Sequence, residues 1–473
     1  MRTATIVSAC YTHTGVRRFD GNPFIEALPP LPATREAFLI QLANYPDRPT
    51  HALRRASPII RLMELTTLTE IVYPFPDYEK SAIALASMLR ETYVARNPLT
   101  AMDMQRRHAL ATNAEDGLPF PPDWRSSAKG YCMMAVSGMG KTTFADAFLL
   151  RYPQVIEHEA YDGQPLRCRQ VVYLVLRVPH DATLKSLCLQ FFAEVDRMLG
   201  TDYMRRAKAV RHISPMVELM NQVATAISLG LIVVDEVQHI RSASGATAEL
   251  MLNLFSDIME RLGISLFLMA TPALDIALSA NVRNTRKAIS YGFTKLAPMR
   301  RKGAEWFDFC DTYWDYMYVS HKARLTDEIR NVWYDVSAGN TAFAVLAYLL
   351  TQRNAIGGVE TVDATGFRRT LNTDMAILAP AIQALRSRRS NLLVKFDDLL
   401  FGDAYQSLMK QLKVDFPMSS TSDEEFDDLP YSKRTTHRRA NPHPTQSSQV
   451  APVSVLPVEN PLRGSRKGRA LPP

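Results

Sequence analysis

Residues 135–143, Ala-Val-Ser-Gly-Met-Gly-Lys-Thr-Thr, constrain this chain of 473 residues more than any other stretch. They follow an apolar run at 131–136 and open an amphipathic one at 141–150. A buried strand that passes through a glycine-rich turn into a helix leaves backbone N–H groups converging at the positive end of that helix. Such a turn binds polyphosphate. The cradle consists of Ser137, Gly138, Met139, Gly140 and Lys141, with Thr142 and Thr143 opening the helix. The Lys141 ammonium is placed to reach the β- and γ-phosphates, and the Thr142 hydroxyl to ligate Mg2+. Ala135 stands where this pattern usually has glycine, a methyl group the turn tolerates while φ stays negative.

The surrounding sequence has the pattern such a loop needs. Apolar runs at 131–136, 171–178, 231–234 and 266–270 each read as a strand buried on both faces. The amphipathic stretches 141–150, 184–199, 215–228 and 248–262 read as helices between them. Strands alternating with helices predict an α/β core, with helices on both sides of a parallel sheet, over residues 121–300.

A second element strengthens the first. Residues 231–236, Leu-Ile-Val-Val-Asp-Glu, form an apolar strand that ends in two carboxylates. Asp235 is expected to hold Mg2+ through water, and Glu236 to polarise the water that attacks the γ-phosphate. An apolar strand ending in Asp-Glu is unspecific alone; downstream of a phosphate loop it points to ATP hydrolysis.

A third run, 266–272, ends in Ala-Thr-Pro, and Thr271 either senses the γ-phosphate or caps a helix begun at Pro272. In an ATPase of the AAA+ class this strand lies between the other two. Arg283, Arg286 and Lys287 follow, between the next helix and a short strand at 291–295. An arginine there, with Arg286 preferred, is placed to act as a finger on the nucleotide of a neighbouring subunit; a solvated basic turn is the competing reading. Residues 337–340, Ser-Ala-Gly-Asn, open a helix over 341–352 that fits a helical lid, with no arginine in its first turn.

The remainder divides into three zones. Residues 1–120 form an N-terminal extension, proline-rich near its start and at 73–76. The lid and further helices occupy 301–416. From 417 to 473 there are nine prolines, twelve Ser or Thr and no periodic apolar pattern, so this tail is expected to be disordered. Acidic residues around Phe426 and basic pairs at 433–434 and 438–439 make it either a solvated appendage or a docking peptide.

Composition excludes several other classes. The uncharged apolar run 219–234 is 16 residues and contains Asn221, Gln222, Thr225 and Ser228, too short and polar for a membrane span. Polar residues through the first 14 positions argue against a signal peptide. The five cysteines include no C-x-x-C pair, which excludes a zinc ribbon and argues against a disulfide framework. A cytoplasmic protein is expected. The net charge of +7 allows a nucleic-acid partner without requiring one.

The motifs come in an order that resembles the TnsC family, the AAA+ regulators of heteromeric cut-and-paste DNA transposons. The resemblance is carried by 21–31 (Gly-Asn-Pro-Phe-Ile-Glu-Ala-Leu-Pro-Pro-Leu), the phosphate loop, 235–239 (Asp-Glu-Val-Gln-His) and 270–272 (Ala-Thr-Pro). Asn97-Pro98, Leu184-Lys185 and 335–339 (Asp-Val-Ser-Ala-Gly) are similar too. It runs from about Ala4 to about Leu400 and fades in the tail. It implies an ATP-bound homo-oligomeric ring or filament on duplex DNA. Such an assembly links a target selector of the TnsD/TniQ type to the TnsA and TnsB transposase subunits. It also implies that the duplex passes within reach of Thr183 and Lys185, with Arg205 and Arg206 as the next candidates. Lysine and arginine there would pair with phosphates and carry no sequence information. The residues alone leave open a replication initiator or helicase loader, and an ATP-binding scaffold without turnover; the intact Glu236 speaks against the scaffold. A small-molecule kinase lacks any visible acceptor site.

Overall fold

The computed structural model describes residues 5–111, 120–179, 181, 183–242, 245–272, 274 and 282–387. The tail expected at 417–473 lies outside them. Strands are β1 (Ile6–Ser8), β2 (Gly130–Ala135), β3 (Val155–Tyr161), β4 (Gln164–Val171), β5 (Tyr173–Arg177), β6 (Leu231–Asp235), β7 (Ser265–Ala270) and β8 (Phe293–Leu296). The N-terminal helices are α1 (Pro23–Glu26), α2 (Arg35–Leu42), α3 (His51–Arg54), α4 (Pro58–Glu64), α5 (Pro76–Val94) and α6 (Ala101–Ala111). Between and after the central strands come α7 (Lys141–Leu149), α8 (Leu184–Leu199), α9 (Tyr203–Ala209), α10 (Ile213–Ala226), α11 (Gly245–Asp257) and α12 (Val282–Ala288). The last group is α13 (Ala304–Trp314), α14 (Asp327–Asp335), α15 (Thr341–Ala355), α16 (Ala364–Asn372) and α17 (Ala379–Ser387).

Every residue of β2, β6 and β7 is buried, as their apolar runs require of strands covered on both faces, with Asp235 the one charged residue, at the end of β6. They join β5 and β8 in a five-stranded parallel sheet of order β5-β6-β7-β2-β8. The strand ending in Thr271 therefore lies between the phosphate-loop strand and the Asp235 strand. Successive side chains on a strand point to opposite faces. Tyr131, Met133, Leu231, Val233, Phe267 and Met269 face one core with Phe144 of α7 and Leu85 of α5. Cys132, Met134, Ile232, Val234, Leu266 and Leu268 face the other, with Phe191 and Phe192 of α8 and Val223 of α10. Each large apolar side chain buried in this way contributes about 1.5–3 kcal/mol.

The N-terminal residues supply part of this sandwich. Helix α5 packs on β2, β7 and β8. Tyr78, Ala82, Leu85, Met88 and Leu89 are buried along it at helical spacing. The 21–31 string locks onto its far end. Asn22 caps α1 through the Phe24 N–H, and its Nδ2 donates to Tyr93 O at 2.7 Å. Glu26 accepts from the Gly21 N–H at 2.7 Å and the Tyr161 hydroxyl at 2.8 Å.

Three features depart from the sequence expectation. The run 171–178 is divided: Val171 ends β4, and β5 begins at Tyr173. A second sheet, β1-β3-β4, stands beside the first, with β1 parallel and β4 antiparallel to β3. Residues 282–288 form helix α12, so Arg286 and Lys287 lie on a helix and not in a turn.

Helices α13–α16 pack around Trp306, Phe309, Trp333, Tyr348 and Phe367; Trp333 and Tyr348 stack at 4.8 Å between ring centres. Among the described residues, no helix is long and apolar enough to cross a membrane.

Candidate functional site

The phosphate loop is held from two sides. Gly138 and Gly140 have φ of +81° and +86°, the left-handed region where a Cβ is strained. Space excludes a side chain as well. A Cβ on Gly138 would lie 2.7 Å from Asn340 Oδ1, and one on Gly140 would lie 2.4 Å from the Tyr78 hydroxyl. That hydroxyl donates to Gly140 O at 3.0 Å. From the other side, Asn340 Nδ2 donates to Ser137 O at 2.8 Å and the Ala342 N–H to Gly138 O at 2.9 Å. Asn340 also caps α15 by accepting from the Phe343 N–H. The loop is thus fixed between α5 and the start of α15.

Within the loop Met139 is buried, whereas Ser137, Thr142 and Thr143 are exposed. Lys141 Nζ donates to Ala135 O at 2.9 Å, folded along the loop.

Asp235 ends β6 buried, with Oδ1 accepting from the Glu236 N–H at 2.8 Å. Arg177, at the end of the neighbouring β5, lies 3.8 Å from its Oδ2. Burial pushes the Asp235 carboxyl up from its ordinary value, and the Glu236 charge adds to this, while the hydrogen bond from the Glu236 N–H and the charges of Arg177 and Lys141 pull the other way. Thr142, Asp146, Arg177, Gln190 and Asp235 share the lining of a cavity of about 160 Å3. A hydroxyl and a carboxylate on one cavity are hard oxygen donors, a set that fits Mg2+.

Glu236 is half-buried with φ of +56°. Its carboxylate accepts from Gln238 Nε2, and Gln238 Oε1 accepts from the Thr271 N–H at 3.1 Å. The Thr271 hydroxyl is buried and has no hydrogen-bond partner among the described residues. A buried hydroxyl left unpaired is costly, so its place at the end of β7 beside the loop strand suits a ligand's acceptor.

The remaining candidates are dispersed. Arg286 is exposed on α12, while Lys287 pairs with Glu260 at 2.5 Å. The Arg283 side chain lies outside the described residues. Thr183 is the N-cap of α8, accepting from the Ser186 N–H, and Lys185 is exposed in the first turn. Arg205 pairs with Asp202 and Arg206 lies over the Tyr203 ring, both on α9. The sequence pointed to Lys141, Thr142, Asp235, Glu236 and Thr271 but did not single out Tyr78, Asn340 or Gln238. Asn340 carries an N-cap signature that was readable. Tyr78 has no local mark, because its role depends on a helix 60 residues upstream of the loop docking there (roughly; the tertiary fold decides it).

A family model described as AAA domain matches residues 125–278. No curated protein sequence matches the chain. Among solved structures, the ORC2 protein of Aeropyrum pernix in its ADPNP–ADP complexes is 14% identical, with a TM-score of 0.36, over 60% of this chain and 81% of that one. A Walker-type ATPase of Pyrococcus abyssi is 12% identical, with a TM-score of 0.37, over 60% and 83%. Cdc6p of Pyrobaculum aerophilum is 13% identical, with a TM-score of 0.37, over 62% and 77%. The family match spans β2 to β7, and with the five-stranded parallel sheet it identifies the AAA+ P-loop fold.

Proposed function

We propose that this protein is an ATPase that uses Mg-ATP as an assembly switch on duplex DNA, acting as a transposition regulator of the TnsC type. The observation that carries the ATPase reading is one convergence. The phosphate loop, Asp235, Glu236 and the unpartnered Thr271 hydroxyl meet at the C-terminal ends of three adjacent parallel strands, where ligands of such sheets bind.

In this reading the backbone amides of residues 137–141 bind the phosphates, and Lys141 leaves Ala135 O to pair with them. Thr142 and Asp235 hold Mg2+, which would neutralise charge on the β- and γ-phosphates. Glu236 accepts the proton of the attacking water. The Thr271 hydroxyl donates to the γ-phosphate, and Arg286, exposed on α12, reaches the nucleotide of a neighbouring copy.

The transposition role rests on the resemblance. The string at 21–31 grips the Tyr93 end of α5, whereas Tyr78 touches the loop from the other end. About 15 helical residues, or ~22 Å, separate them, so the string is not a general requirement of a phosphate site. The partners this implies are a second copy of the chain, duplex DNA, TnsA and TnsB, and a TnsD/TniQ-type selector.

The test is phosphate release together with imaging of assemblies on duplex DNA. Lys141→Ala should lose nucleotide-dependent assembly. Glu236→Gln should assemble with ATP and persist on DNA, with turnover reduced by about 100-fold or more. Turnover of Glu236→Gln at the wild-type rate would overturn the assignment of the base.

A further inference from the structure

Glu236 is held in a backbone region that costs a non-glycine residue about 1 kcal/mol or more, a state that persists only where the surroundings impose it. Three contacts impose it here. Its N–H donates to Asp235 Oδ1, its carbonyl accepts from the His239 N–H at 3.0 Å, and its carboxylate accepts from Gln238. The third contact reaches beyond β6, because the same Gln238 amide accepts from the Thr271 N–H at the end of β7. The amide orientation is therefore determined. Flipping it would set N–H against N–H at Thr271 and oxygen against carboxylate at Glu236. Gln238 takes one Glu236 oxygen and the Thr271 N–H, and among the described residues the Thr271 hydroxyl has no partner.

We propose that Gln238 is a positioning residue, which ties the Glu236 carboxylate to Thr271 so that base and phosphate-sensing hydroxyl keep one register across β6 and β7. This rests on the ATPase reading above. Gln238 touches neither water nor phosphate; it acts through the two groups that do. A base misplaced by about 1 Å costs on the order of 100-fold in rate, while ground-state binding is unchanged. The tether should therefore appear in kcat and not in nucleotide affinity.

The experiment compares wild type, Gln238→Ala and Gln238→Glu. It measures steady-state kcat and KM for ATP, titration of fluorescently labelled ADP, and titration of ADP with aluminium fluoride as a transition-state mimic. Gln238→Ala should lower kcat by about 10- to 100-fold, keep KM and ADP affinity within about threefold, and weaken the aluminium fluoride complex in step with kcat. Gln238→Glu is nearly isosteric and guards against misfolding. Ionised, it repels Glu236; protonated, it can again accept from Thr271 and donate to Glu236. Its activity relative to wild type should rise as pH falls from 8 to about 6, a response that a role in packing alone would not produce. An unchanged kcat in Gln238→Ala, a loss confined to ADP affinity, or a Gln238→Glu profile parallel to wild type would each overturn the positioning role. A wild-type protein that binds ADP yet releases no phosphate would overturn the ATPase reading and this inference with it, an outcome distinct from the other three.

Discussion

The hydroxyl of Tyr78 and the missing side chain of Gly140 form one device. The hydroxyl donates to the glycine carbonyl and fills the space a Cβ would need. Gly140→Ala therefore meets two obstacles: a 2.4 Å approach to that hydroxyl and a φ of +86°. Tyr78→Phe removes the first and leaves the second. Titration with labelled ADP should show Gly140→Ala losing at least tenfold in affinity. The double variant with Tyr78→Phe should recover part of it, with a residual loss of about fivefold from the left-handed backbone, worth ~1–2 kcal/mol. Full recovery would mean that φ does not matter there. No recovery would mean that the hydroxyl is not the obstacle.

At the scale of elements, α4 is clamped to the loop before α16 by Arg61, which is 4% exposed and pairs with both oxygens of Glu360 at 2.6 and 2.7 Å. The Ser320 and Gly357 N–H groups donate to the same carboxylate. The Arg61 hydrogen bonds hold Glu360 at about 2, against the usual 4.5. Because the folded value is the lower one, the clamp stabilises the fold fully above pH 4.5 and loses its effect as pH falls towards 2. Glu360→Gln should cost about 3 kcal/mol in urea denaturation at neutral pH, and the gap to wild type should narrow steadily below pH 4.5. A constant gap would show that shape, not charge, carries the contact. Nothing in the sequence joined Arg61 to a glutamate so far along the chain. What was legible is whatever a short window fixes: the apolar strands, the phosphate loop, the Asp-Glu strand end and the order that places β7 centrally. The β3-β4 hairpin went unread although Asp162-Gly163, with φ of +48° and +74°, is a turn signal of the kind that closes two-residue hairpins. Its strands, Val-Ile-Glu-His-Glu-Ala-Tyr and Gln-Pro-Leu-Arg-Cys-Arg-Gln-Val, alternate polar residues because one face meets solvent, and a search for continuous apolar runs passes over them. Asn340, Tyr78 and Gln238 act on residues from distant elements or across strand ends, so spacing alone does not reveal them.

Over the whole molecule, the candidate DNA contacts fall at two places. Helix α8 leaves the C-terminal end of β5, so Thr183 and Lys185 lie at the same edge of the sheet as Asp235 and the phosphate loop. Arg205 and Arg206 follow its other end, and the 16 residues of α8 span about 24 Å. A nucleotide-controlled assembly couples most directly to DNA at the edge where nucleotide binds. Lys185 is therefore expected on the phosphate track, with Thr183 beside it, while Arg205 is already paired with Asp202. Contact with phosphates releases counterions, so affinity should ignore sequence and fall steeply with salt. Each lost contact lowers the slope of log affinity against log salt by about 0.9, and an oligomer multiplies that loss by the number of engaged subunits. Anisotropy of a labelled duplex with a non-hydrolysable ATP analogue should show a reduced slope for Lys185→Ala and an unchanged one for Arg205→Ala and Arg206→Ala. The reverse pattern would move the DNA to the far edge of the sheet, beyond the reach of the strand ends that carry the candidate nucleotide site, and would break the link between nucleotide state and DNA on which the switch depends.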